Sequence, residues 1–506
     1  MQCQSLCESL SQFTANDGSK WSKWDRSNNI LDSVFIIGPT SFDEKDEFDI
    51  SMLYEYPNDN INDLSIKHFI YEDKLSFPDL NIQNQCILEA HFCSENDVID
   101  ESVFMHNESG NPKYIYCIRF SASPLTRPAQ LNNENVFLEL EDFRKQTVLP
   151  IRLFCLCLIS SHPFCNFYFQ IMRRILQLEA KARTSAQNIY MTSCAYKVVN
   201  HHLLWPNSSF LIREQFLNLI RNSFFPFHSE KLVLFSSGLD VIEFKMPSSE
   251  DVNHMISLWS FSPLLEWISI KDFVLLLTVL LLEQYIVVIG QNFGDIVKTV
   301  SFLSQLIHPF TWICPTISLL PKKLFDVMES PMANIIGLFA KYKNKIPDNY
   351  VILNLDDHSL FVPKSFPSIP NLDIFISMID PLFTARKTEL ITQNLALTIF
   401  RIINDFIESI FTNHIVKSIL TKVGNNSYEG SMFIPNIYFG GFNQGDHEFV
   451  RQLTSTQYFS AYIEQCCIKK TQIHQNLEDS YSLETFDGWL KFRKYKNTNV
   501  MRDKTF

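Results

Sequence analysis

The chain has 506 residues, 46% hydrophobic and 19% charged, which is enough apolar material for about two to four domains with cores of their own. Its net charge of −12 and pI of about 5.6 repel nucleic acid and anionic lipid over the bulk of the surface. With only 13 Gly it is not collagen-like, and 44 Phe, 17 Tyr and 7 Trp imply aromatic-rich packing.

The 12 cysteines form no framework. Cys155 and Cys157 are two apart, Cys466 and Cys467 are adjacent, and no C-x-x-C pair occurs, so zinc-ribbon and redox motifs find no support. Free buried thiols in a reducing cytosol are the expectation. Met1 to Asn16 lacks the charged and apolar regions of a secretory signal, so the N-x-S matches at Asn107 and Asn207 carry no meaning in that compartment.

In chain order, a polar opening is followed by strand signals at Ser33–Gly38, Met52–Tyr56 and Tyr114–Ser121, which predict a small antiparallel α+β sheet domain. Residues 121 to 141 read as a linker with prolines and few aliphatics. Leu153–Ile159 is a continuous apolar run, the pattern of a strand covered on both faces, and an amphipathic helix is predicted from Phe164 to Arg183.

Ser269, Ile270, Lys271 and Asp272 have capping-box spacing before an apolar helix, Phe273 to Gln284. That helix is far short of the roughly 20 apolar residues needed to span a bilayer. Strand Tyr285–Ile289, a Gly290–Gly294 turn, a helix to about His308, a short helix Pro321–Glu329 and strands Asn334–Phe339 and Tyr350–Leu355 follow. This alternation predicts a mainly parallel sheet. From Asp380 the pattern is mainly helical, with Leu395–Leu420 in helical spacing and Phe449, Leu453, Thr456, Phe459 and Ile463 on one helix face. A polar tail closes the chain.

Several of these segments together resemble a known family. Leu156 to Phe164, Leu264 to Gly290, His308 to Trp312, Leu319 to Pro321, Glu329 to Gly337 and Ile346 to Asp356 stand in the order of the core of a DENN domain. Asp32 to Gly38, Tyr56-Pro57, Phe77 to Asp79 and Tyr114 to Phe120 resemble its upstream module, and Phe449 to Phe459 the closing helix of its downstream module. Gly290 to Phe293 replaces a serine-rich turn, and Pro315 is an extra proline. The resemblance implies a bilobal α/β (mixed α+β) fold, with a longin-like N-terminal lobe and an α/β C-terminal lobe built on a mainly parallel sheet with flanking helices. The corresponding boundaries are 1–29 (polar segment), 30–121 (upstream), 122–150 (linker), 151–365 (central), 366–475 (downstream) and 476–506 (tail).

In function the resemblance implies a guanine-nucleotide exchange factor for a Rab-type small GTPase. The Rab sits across both lobes with its switch segments displaced. Such a protein does no covalent chemistry of its own and needs no catalytic residue, cofactor or metal. Shifting the equilibrium about 10⁴-fold takes roughly 5.5 kcal/mol of differential binding, which dispersed contacts can supply. The expected setting is cytoplasmic and concerned with membrane trafficking, with recruitment to endomembranes through the GTPase and with a second DENN protein or an adaptor as a further partner; nucleic acid is not a partner. The alternatives are a GTPase-binding scaffold without exchange activity and, less favoured, a GTPase-activating relative.

Candidate GTPase contacts are Met332 and Asn334 before a strand, Asp357 after one, and Arg451, Gln457 and Tyr458 on the exposed side of the closing helix. Asp356, Asp357 and His358 read either as a cation or lysine site or, more commonly, as a polar turn. Arg119 is a candidate arginine finger in the GTPase-activating reading; a mid-strand Arg more often pairs at an edge. His201-His202 lacks ligand spacing. Neither G-x-x-x-x-G-K-S/T, H-E-x-x-H nor G-x-S-x-G occurs. The Gly290–Gly294 turn alone suggests a nucleotide-using enzyme, and it lacks both the third Gly and the phosphate-binding Lys.

Overall fold

A computed structural model describes residues 30–39, 50–57, 98–108, 111–122, 152–192, 216–223, 225, 231–234, 242–247, 255–385, 393–423 and 428–480. His201-His202, Phe77 to Asp79, most of the linker and the tail after residue 480 lie outside them. The chain divides into two compact units, Met1–Ile256 and Ser257–Phe506.

The first unit is built on an antiparallel sheet of β1 (Ser33–Pro39), β2 (Ile50–Tyr56), β3 (Val98–Glu108), β4 (Asn111–Ala122) and β5 (Arg152–Ser160), in the order β2-β1-β5-β4-β3. The apolar run of β5 places it centrally, and Leu153 to Leu158 are all buried. Side-chain alternation puts Leu153, Cys155 and Cys157 on one face, in a cluster with Phe35, Ile37 and Cys117. On the other face helix α1 (Cys165–Thr192) lays Tyr168 and Phe169 against Tyr116 of β4, with ring centroids 4.6 and 5.8 Å apart. Beyond β5 lies a hairpin of β6 (Lys231–Leu234) and β7 (Ile242–Lys245). Phe244 from this hairpin joins Phe164, Phe167 and Phe225 in an aromatic cluster with centroids about 5 Å apart, one destination of the abundant phenylalanine.

A buried polar knot fixes how β5 leaves the sheet. Ser160 Oγ meets Ile30 O at 3.0 Å, Tyr168 OH at 2.6 Å and His162 Nδ1 at 3.3 Å. Tyr116 OH donates to His162 O at 2.5 Å. Burial drives the His162 imidazole down to a pKa of about 4, so the knot holds a neutral ring.

In the second unit, helix α2 (Ile270–Leu281) has eight buried side chains, Phe273 to Leu281 without Leu275. Its cap is Ser269: the hydroxyl accepts the Asp272 N–H at 3.1 Å and itself donates to the Asp272 carboxylate at 2.7 Å, so that carboxylate grips the Ser hydroxyl instead of reaching back to a backbone amide. The chain continues through β8 (Ile286–Gly290), α3 (Phe293–Gln305), β9 (Thr316–Ile317), a 3₁₀ segment at Lys322–Glu329, β10 (Ile335–Phe339), β11 (Val351–Asn354) and β12 (Ser359–Phe361). The sheet order is β12-β11-β8-β10-β9, parallel throughout except for the antiparallel edge strand β12. β8, covered on both faces, is buried at every residue. The parallel sheet expected from the strand–helix alternation is therefore present, and the chain has a mixed α/β architecture.

Gly337 of β10 has a steric reason. A Cβ there would lie 2.1 Å from Ser318 O and 2.6 Å from Ile296 Cγ2, so only glycine lets β10 pass.

After α4 (Leu372–Ala385) the structure departs from two helical expectations. The predicted helix Leu395–Leu420 divides into α5 (Gln393–Ile407), a π turn at Glu408–Thr412 and α6 (Asn413–Ser418), and gives way to β13 (Ile419–Val423), paired antiparallel with β14 (Tyr428–Phe433). Within the π turn the Thr412 hydroxyl donates to Glu408 O at 3.0 Å, and the alternation from Ile419 to Val423 suits a strand as well as a helix. α7 (Pro435–Phe439) follows. The single face from Phe449 to Ile463 belongs to two helices, α8 (His447–Thr454) and α9 (Gln457–Ser480). Thr456 breaks them, its hydroxyl facing the Phe459 N–H at 3.4 Å, as a capping residue does. Phe449, Leu453, Thr456 and Phe459 are nonetheless all buried.

Candidate functional site

The parallel strands of the second unit give its sheet two distinct ends. Ile335 of β10, Ile286 of β8 and Val351 of β11 are in register near the N-terminal end. Met332 and Asn334 immediately precede β10, so they lie there. Asp357 follows β11 and lies at the opposite end, separated by strands of four to five residues, about 15 Å. The fold therefore keeps the two groups of candidates apart.

At the N-terminal end the loop Ser330–Asn334 is pinned from inside. Asn334 is buried: its Oδ1 accepts Tyr350 OH at 3.0 Å and its Nδ2 donates to Met332 O at 3.3 Å. Tyr285 OH donates to Pro331 O at 2.7 Å, and Ser330 Oγ accepts the Met332 N–H at 3.3 Å. Asn334 is thus no surface contact but the residue that sets the loop, and Met332, 41% exposed, is the apolar group the loop presents.

Glu283 joins the closing helix to the same end. It follows α2 and precedes β8; its Oε1 accepts the Cys314 thiol at 2.6 Å and its Oε2 accepts the Gln457 N–H at 2.5 Å, at the start of α9. Gln457 is exposed. Tyr458 is not: it is 1% exposed, donates its hydroxyl to Leu281 O and packs against Phe310 at 5.1 Å. The expectation that Tyr458 lies on the exposed side of its helix is corrected, because the break at Thr456 resets the helical phase. Arg451 is exposed on α8 and pairs with Glu448 at 2.6 Å, an arrangement worth a few tenths of a kcal/mol at most, about 0.3–0.5.

At the opposite end, Asn354 Oδ1 accepts the N–H groups of Asp356 and Asp357 at 3.0 and 3.2 Å, and its Nδ2 donates to Asp357 Oδ2 at 2.6 Å. His358 stacks on Trp267 at 5.1 Å. These contacts make the polar turn that was the commoner expectation. Asp356 Oδ1 also accepts the Gln291 N–H at 3.1 Å, and the Asn292 side chain caps α3 through the Asp295 N–H at 3.2 Å. A carboxylate thus occupies the place where a phosphate cradle would offer backbone amides, and Asp295 adds a second acid to the first turn.

Arg119 lies in the first unit and is 7% exposed, its Nε directed at Asp100 Oδ1 and Oδ2 at 2.8 and 3.0 Å. A guanidinium held in this fork inside the sheet cannot reach a GTPase as a finger, and that reading is set aside. Sequence spacing also gave no sign of a cluster on β4 and β5: the thiols of Cys117, Cys155 and Cys157 lie within 4.8 Å of one another, all buried. The signal was divided between an alternating C-x-C and a cysteine 40 residues upstream.

The DENN (AEX-3) domain family matches residues 151–358, beginning at β5 and ending after β11. The chain is similar to DENN domain-containing protein 2A of Mus musculus, 30% identical over 104 residues, 21% of this chain and 10% of that protein. It is also similar to DENN domain-containing protein 1B of Homo sapiens, 24% identical over 233 residues, 42% of this chain and 26% of that protein. To the MAP kinase-activating death domain protein of Caenorhabditis elegans it is 22% identical over 293 residues, 54% of this chain and 21% of that protein. The matched stretch thus spans only about a tenth to a quarter of each relative. Residues 151–358 are thus the stretch of the chain that is similar to a DENN domain.

Proposed function

We propose that the chain is an exchange factor for a Rab-type small GTPase, working by binding the nucleotide-free GTPase more tightly than the loaded one. The observation that carries this reading is the DENN match across residues 151–358. The pinned loop that presents Met332 supports it, because a rigid apolar contact costs little ordering entropy on binding. In this reading the first unit is the longin-like lobe, and the GTPase bridges the chain to endomembranes. Among the described residues no helix is long and apolar enough to cross a membrane. No covalent chemistry is assigned to the protein, and the acidic groups at the Gly290 turn disfavour a nucleotide-using enzyme.

Isothermal titration of the protein with GDP-loaded and nucleotide-free forms of several Rabs tests the reading. Tighter binding of one nucleotide-free Rab supports exchange. Equal affinity for both forms replaces it with the scaffold, since a partner indifferent to nucleotide cannot loosen it. Thermal stabilisation by GTP or ATP alone would favour the enzyme.

A further inference from the structure

We propose that Cys117, Cys155 and Cys157 form a closed site for one soft monovalent d¹⁰ cation, copper(I). Cys117 and Cys157 face each other directly across β4 and β5 with Sγ atoms 3.5 Å apart. Cys155, two residues from Cys157 on the same face, is also 3.5 Å from it. All three Sγ atoms lie within 4.8 Å of one another. Trigonal ligation with metal–sulfur bonds of about 2.3 Å sets the sulfurs about 4.0 Å apart. Two of the separations, at 3.5 Å, lie about 0.5 Å inside that value and the third is within 4.8 Å, so closing on an ion moves each side chain by a few tenths of an ångström.

The chemistry of the surroundings selects the ion. The three thiols belong to an apolar cluster with Phe35, Ile37 and Leu153, and Met52, which carries a soft thioether, packs against it. Thiolate and thioether donors without imidazole or carboxylate select copper(I) over magnesium, calcium or manganese. The Asp100 carboxylate, whose charge acts on Cys117 and Cys155, is engaged by Arg119. Arg119 is the register partner of Cys155, so its guanidinium stands beside the added negative charge. Each thiol that becomes a thiolate releases its proton to solvent, and the ion ties β4 to β5. All three side chains are fully buried, the condition of a structural and not a catalytic site.

The test loads the full chain, reduced and anaerobic, with one equivalent of copper(I) supplied as its glutathione complex, with zinc(II) in a parallel sample. After desalting, the parent chain is expected to retain one copper more than Cys155→Ala or Cys157→Ala, with Cys466→Ser matching the parent. Equal copper in parent and cluster variants overturns the site, and preferential retention of zinc overturns the choice of ion. Should the cluster variants fail to fold, X-ray absorption of the loaded parent decides. Three sulfur neighbours support the site; nitrogen or oxygen neighbours, or two sulfurs alone, overturn it.

Discussion

Glu283 accepts the backbone N–H of Gln457, 174 residues further along the chain, at 2.5 Å, and does so from a left-handed backbone conformation with φ of 50°. The same carboxylate takes the Cys314 thiol, whose pKa is pushed to about 12 by burial first and by Glu283 second, so the sulfur remains a donor. One side chain thus closes α2, steadies the approach to β9 and caps α9. A non-glycine residue at positive φ costs about 1 kcal/mol or more, which the charge-assisted bonds offset.

Glu283→Ala is expected to destabilise the protein by about 2–3 kcal/mol, since it removes the cap while keeping the backbone strain. Glu283→Gly should lose about 1 kcal/mol less, because glycine adopts this φ freely. Urea denaturation of the two variants checks the ordering; equal losses would mean that the strain contributes nothing.

Gly337→Ala should be far worse than its chemistry suggests. With Ser318 O only 2.1 Å from the added Cβ, β10 must move, at an expected cost of about 2–4 kcal/mol. Gly445→Ala, whose Cβ meets nothing within 4 Å, is the control and should be neutral in thermal unfolding.

Acid should loosen the first unit through His162. Its folded-state pKa of about 4 lies below the ordinary imidazole value of 6.5, so the unfolded chain binds the proton more readily. The stability held by the neutral ring is full above about pH 6.5 and is lost as pH falls towards 4, by about 3 kcal/mol in all. Denaturant midpoints across that window should fall less steeply for His162→Gln than for the parent.

The fork between Arg119 and Asp100 is expected to be structural. Arg119→Ala leaves a buried carboxylate unpaired and should cost about 3–5 kcal/mol. A variant as stable as the parent yet altered in its effect on GTP hydrolysis would restore the arginine-finger reading.

How far the sequence reveals this protein depends on whether the signal is local. β5 and β8 were legible as continuous apolar runs because strands covered on both faces need no polar alternation. The Ser269 cap was legible from its three-residue spacing, although Asp272 turned out to grip the Ser hydroxyl. The β13–β14 hairpin was not legible, since Ile419 to Val423 extends a helical pattern until its partner strand is known. Nor was the burial of Asn334 and Tyr458, which follows from Tyr350, 16 residues away, and Leu281, 177 residues away. The thiol cluster required the β4–β5 register, which no spacing along the chain records.

Exchange is read out by the rate of release of a fluorescent GDP analogue from a panel of Rabs. The chain is expected to accelerate release from one or a few Rabs, and Met332→Asp, at an exposed position of the pinned loop, to reduce that acceleration at least tenfold (about 1.4 kcal/mol of lost contact) without lowering thermal stability. Unchanged release across the whole panel, with the protein shown to be folded, would contradict it.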